Sequence, residues 1–153
     1  MKKLFSLIFA LSCLAGAQAQ VSFGNAAKIN YNWKFMPGDT AAAASAKFDD
    51  KGWQSVDLPH DWSVKGRLDP DNASCAGYLP GGTGWYRKTL DIPSGDKGKK
   101  IFIYFEGVYN RSEVYLNGHL LGKRPNGFIS FMYDATPYVR FGGENVEIGR
   151  AHV

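Results

Sequence analysis

The chain holds 153 residues, of which 44% are hydrophobic, 14% aromatic and 21% charged. That length excludes more than one full domain at ordinary domain sizes, and the composition excludes a disordered tail because it supplies enough apolar surface for a core. The formal charge of +4 falls to +2 once Lys2 and Lys3 are assigned to a removable leader, and the other basic residues are dispersed apart from Lys97, Lys99 and Lys100, so no nucleic-acid partner is expected.

In chain order the leader comes first. Met1-Lys2-Lys3, the apolar run Leu4 to Leu14 and the small-residue stretch Ala17-Gln18-Ala19 predict a signal peptide over 1–19, with the mature chain starting at Gln20. The run is shorter than the ~20 residues of a membrane span, which predicts an exported periplasmic or extracellular protein with no membrane span. Acylation of Cys13 is the alternative, although Ala10-Leu11-Ser12-Cys13 matches a lipobox poorly and lies inside the apolar run. Cleavage would leave Cys75 as the sole cysteine and no intrachain disulfide, so the core must hold without covalent staples.

Beyond the leader the signals are those of strands. Ile29, Tyr31, Trp33 and Phe35 alternate with Asn30, Asn32 and Lys34, a period of two that places four apolar side chains on one face. Ala41 to Ala46 has room for one helical turn. Further strands are predicted at Tyr86 to Ile92, Ile101 to Glu106, Glu113 to Leu116 and Phe128 to Tyr133. They are separated by Pro93-Ser94-Gly95, Asn117-Gly118, Pro125-Asn126-Gly127 and Gly142-Gly143. Asn117-Gly118 is the strongest hairpin signal among them. Short strands at this spacing, with no amphipathic helices between them, predict an all-β antiparallel sandwich. At the far end, Glu147 to Val153 resembles the in-frame translation of a common sequencing-library adapter. Gly149 and Arg150 also interrupt the apolar alternation there, so the natural domain is read as 20–146, truncated at its C-terminal strand, with 147–153 a non-native tail; an ordinary C-terminal strand is the competing reading.

Candidate chemistry centres on Leu58-Pro59-His60-Asp61-Trp62 and on Gly81-Gly82-Thr83-Gly84-Trp85-Tyr86. Asp61 could accept hydrogen bonds from sugar hydroxyls, and Trp62 and Trp85 could stack on a sugar ring, although Trp85 and Tyr86, following three glycines, read rather as strand packing. The competing reading makes the Pro-His-Asp-Trp turn a buried corner, with Trp62 in the core and His60 or Asp61 bonding backbone. Asp69-Pro70-Asp71-Asn72 lacks the glycine and distal glutamate of a calcium loop, so no metal is expected. The glycine run lacks the Gly-Lys-Ser/Thr ending of a phosphate loop, and no cofactor is expected either.

A series of motifs carries a resemblance. Phe48-Asp49-Asp50 through Trp53, Leu58 to Trp62, Gly84 to Lys88, Phe105 to Val108, Val114 to Gly118, Leu121-Gly122 and Tyr133 to Thr136 occur in that order. Together they resemble the N-terminal sugar-binding jelly-roll domain, a galactose-binding-like sandwich, of glycoside hydrolase family 2, over about Ile29 to Val146. The Pro-His-Asp-Trp form is most similar to exported bacterial β-galactosidase-type members. The resemblance implies a retaining glycosidase whose two catalytic glutamates stand on a separate downstream (β/α)8 barrel, so no catalytic residue is expected in this chain. It also implies a glycoside or oligosaccharide substrate and a downstream catalytic domain as partners. A self-contained carbohydrate-binding module or adhesin on the same fold is the second reading, since fold alone does not fix function.

Overall fold

A computed structural model describes Gly24 and residues 26–152. The expected leader over 1–19, the start at Gln20 and the last residue of the tail lie outside the described residues. Eight strands are present: β1 (Trp33–Pro37), β2 (Gln54–Val56), β3 (Thr83–Ile92), β4 (Phe102–Phe105), β5 (Ser112–Leu116), β6 (His119–Arg124), β7 (Phe131–Asp134) and β8 (Gly143–His152). They form a six-stranded sheet in the order β2-β1-β3-β8-β5-β6 and a two-stranded sheet β4-β7, with every pairing antiparallel. Only short 3-10 turns interrupt the strands, the first being Ala41–Ala44 in the alanine run.

Both faces of the large sheet are covered. On one, Trp85, Ile148, Met36, Tyr115 and Val146 pack against Ala43, Phe48 and Trp53 of the 41–53 segment. On the other, Trp33, Phe35 and Val56 gather Leu58, Trp62 and Tyr86 around them, while Leu116 meets Ile103 and Ala135 beneath the small sheet. The alternation of neighbours such as Trp85 and Tyr86 between these layers is the period-two signature of a strand. The hairpin at Asn117-Gly118 has positive φ at both residues, 53° and 86°, as a tight primed turn requires.

Three strand expectations change. The 29–35 alternation yields a strand only from Trp33, because Asn32 takes a left-handed φ of 59° and its N–H donates to Asp57 Oδ1 at 2.8 Å, leaving Tyr31 exposed. The strand expected from Phe128 begins instead at Phe131, with Phe128 and Ile129 exposed in the preceding loop. Lastly, β8 does not lapse at Gly149 and Arg150. It runs to His152, with ten residues paired to β3 and four to β5. Gly149 lies opposite Tyr86 and Val114, and Arg150 turns to the other face, where its Nε donates to Asp39 Oδ1 at 2.9 Å. Pairing on both sides supplies the backbone hydrogen bonds that hold a glycine inside a central strand.

Candidate functional site

The Leu58–Trp62 segment crosses the end of the large sheet over β3. It forms a cleft of about 310 Å³ lined by Pro59, His60, Asp61, Trp62, Tyr86, Gly107, Val108, Tyr109 and Ala151. Glycines allow the approach: a Cβ on Gly84 would lie 2.6 Å from the Phe35 ring and 3.4 Å from Trp62 Nε1. A side chain at that position would displace the Phe35 ring.

His60 and Tyr86 make up the wall. His60 Nδ1 and the Tyr86 hydroxyl are 3.1 Å apart, and both rings pack against Phe35, with centroids 4.8 and 4.9 Å away. Burial holds the His60 pKa below its usual value, with Lys65 adding to the effect and Asp61 opposing it. Burial, reinforced by Asp61, raises the Tyr86 hydroxyl to about 12. Both groups are therefore neutral near pH 7 and serve as hydrogen-bonding groups.

The structure brings Asp61 and Trp62 together in this cleft and places Trp85 elsewhere. Trp85 is 1% exposed, in the core on the opposite face of the sheet from its neighbour Tyr86. Asp61 is exposed, and its Oδ1 accepts from the Ser63 N–H at 2.9 Å and the Ser63 hydroxyl at 2.6 Å, which tightens the turn after Trp62. The expectation of an aspartate bonding backbone is met at this atom. Tyr109 escaped the sequence reading: it reaches the cleft from the β4–β5 loop, 48 positions after Asp61, and nothing in its local pattern marks it. A larger hollow of about 420 Å³, lined by residues such as Lys47, Asn117, Arg140 and Glu144, is open and carries no aromatic ring.

The Asp61 turn has a measurable consequence. Asp61→Ala removes the acceptor of two Ser63 donors and lowers the urea unfolding midpoint, costing about 1 to 2 kcal/mol, while Asp61→Asn keeps an acceptor and recovers much of the loss.

Chemically, the cleft offers aromatic edges, neutral hydrogen-bonding groups and one carboxylate, which are the means by which proteins hold polyols. It lacks a carboxylate pair: among the described residues Asp61 is the one acidic side chain in its lining. Retaining glycoside cleavage needs two carboxyls about 5 to 5.5 Å apart.

Fold and cleft define an all-β sandwich domain with a small polar and aromatic cleft at one end. Residues 11–149 match the family described as glycosyl hydrolases family 2, sugar binding domain, and the chain belongs to that family. It is 49% identical to a β-galactosidase of Bacteroides ovatus over 119 residues, covering 76% of this chain and 14% of that protein. A β-glucuronidase of Bacteroides fragilis is 30% identical over 154 residues, with 97% of this chain and 19% of that one covered. The crystal structure of a β-glycosidase from Bacteroides vulgatus superposes with a TM-score of 0.77 at 46% identity, over 83% of this chain and 17% of the other. The chain thus spans less than a fifth of the length of each of these relatives.

Proposed function

We propose that this chain is the N-terminal sugar-binding domain of an exported, β-galactosidase-like retaining glycoside hydrolase, with both catalytic glutamates on a separate (β/α)8 barrel. The observation that carries the reading is the family match over 11–149 in a chain that spans so little of its relatives. Inside the parent enzyme the domain is accessory. Its cleft presents Asp61, Trp62, His60 and Tyr86 to the hydroxyls and ring faces of a glycoside, and Trp85 serves the core.

The chemistry of the described residues supports a division of labour. Asp61 is engaged by Ser63, and the carboxyl with a strongly raised pKa, Glu147, is sealed in the core four residues along β8 from Ala151. No nucleophile and acid pair can be assembled from these two. The purified chain is therefore expected to leave nitrophenyl β-galactoside, β-glucuronide and β-mannoside uncleaved above the buffer rate, while the parent protein hydrolyses at least one of them. Turnover by this chain that disappears on mutating one of its own carboxylates would overturn the proposal.

A further inference from the structure

At the end of the sandwich where β8 finishes, two loops press together. In the β4–β5 loop Tyr109 lies with its ring centroid 5.4 Å from that of Phe128 in the β6–β7 loop, and the Arg111 N–H donates to the Pro125 carbonyl at 3.2 Å. The contact depends on glycine, since a Cβ on Gly127 would sit 2.6 Å from Tyr109 Cδ2. The packing of the two loops does not bury the aromatic side chains. Tyr109 remains 52% exposed, Phe128 86% and Ile129 55%. The Phe128 N–H donates to Asn126 Oδ1 at 2.8 Å, closing a tight turn before it. Tyr109 and Phe128 are in ring contact and Ile129 follows Phe128 in the chain, and such grouped exposed apolar side chains mark an interaction surface rather than scattered surface hydrophobics.

The place where the chain leaves the fold identifies the occupant. The His152 N–H donates to the Asn110 carbonyl at 2.9 Å, and the Asn110 N–H donates back to the His152 carbonyl, so β8 ends against the residue next to Tyr109. Whatever polypeptide follows β8 emerges beside the patch, and in the relatives more than four-fifths of the protein lies outside the stretch matched here. We infer that Tyr109, Phe128 and Ile129 form the surface on which the polypeptide following this domain packs in the parent glycosidase. The inference rests on the proposed function, and it adds the face by which the domain is held.

Thiol accessibility tests it. Cys75 is exposed and is first replaced by serine, after which Phe128→Cys and, as a control, Leu68→Cys are made in the present chain and in the parent protein recovered from the genome. Maleimide labelling of native protein should be fast at both positions in the present chain. In the parent it should be slowed at least about tenfold at position 128, as expected of a site exposed only by local opening, and remain fast at position 68. Far-ultraviolet melting curves establish that each variant is folded, and hydrogen exchange of amides 126–130 in the unsubstituted proteins gives an independent reading of the same protection. Equal labelling at position 128 in both proteins overturns the inference and leaves the proposed function intact. Protection that appears in the present chain as its concentration rises overturns it in favour of a second copy. A genome that encodes no longer parent overturns both together.

Discussion

Glu147→Leu should make this domain more stable, by several kcal/mol at pH 8 and by much less at pH 5. Glu147 lies in β8, opposite Lys88 of β3 and Leu116 of β5, and is 1% exposed, with neither carboxyl oxygen hydrogen-bonded. Burial pushes its pKa up from 4.5 to about 8, against a smaller opposing pull from Lys88. Because the folded-state value lies above the unfolded one, the folded protein keeps a proton that the unfolded chain has lost between those two pH values. Stability is greatest below about pH 4.5, falls by about 1.4 kcal/mol per pH unit as pH rises toward 8, and levels off above it. Glu147→Gln should flatten this slope while leaving an unpartnered amide in the core. Urea midpoints measured from pH 5 to pH 9 separate the three proteins, and a slope in the wild type equal to that of Glu147→Gln would show that the carboxyl is not buried.

The second large effect is expected at Arg87, where a guanidinium on β3 is 2% exposed and fastens the 41–53 segment to the sheet. Nη1 donates to the carbonyls of Ala43 at 3.1 Å and Ser45 at 2.9 Å, Nη2 to that of Ala46 at 3.0 Å, and Nε to Asp50 Oδ2 at 3.0 Å. The guanidinium carbon also lies 5.8 Å from the Trp53 ring centroid. One planar fork thus satisfies three carbonyls at a turn that has no side-chain cap of its own. Arg87→Met should cost about 3 to 5 kcal/mol, because it strands buried acceptors and loosens the cover over Trp85 and Ile148. Arg87→Lys should recover less than half, since an ammonium cannot reach all four acceptors in one plane. Recovery of full stability by lysine would mean that charge, and not the fork, matters at this position. Limited proteolysis provides a second readout, with cleavage within 41–53 appearing first in Arg87→Met.

Local patterns revealed the strands that they themselves determine and missed those that depend on distant partners. Trp33 and Phe35, the β5 run and the Asn117-Gly118 turn carry period-two alternation or positive-φ residues, and all three stand where expected. The β6 strand, His119–Arg124, was missed because His-Leu-Leu-Gly-Lys-Arg has no alternation. Its place follows from the hairpin before it and from Gly122, where a Cβ would fall 2.4 Å from the Tyr133 ring. The continuation of β8 through Gly149 was equally hidden, since pairing to β3 and β5 lies far away in sequence. In the cleft, Asp61 and Trp62 were legible from one compact motif, whereas Tyr86 and Tyr109 join them only through the stacking of β3 and the β4–β5 loop. Trp85, offered as a stacking ring beside the alternative of strand packing, takes the second role because one residue along a strand reverses the face, and Gly84 beside it makes room for Phe35 and Trp62.

The central claim, that this chain is one domain of a longer glycosidase, is tested most directly by reading the genomic DNA past the codon for Val146. The account predicts an open frame that continues for several hundred codons into a barrel bearing two glutamates. A frame that ends within a few codons of that point would contradict it.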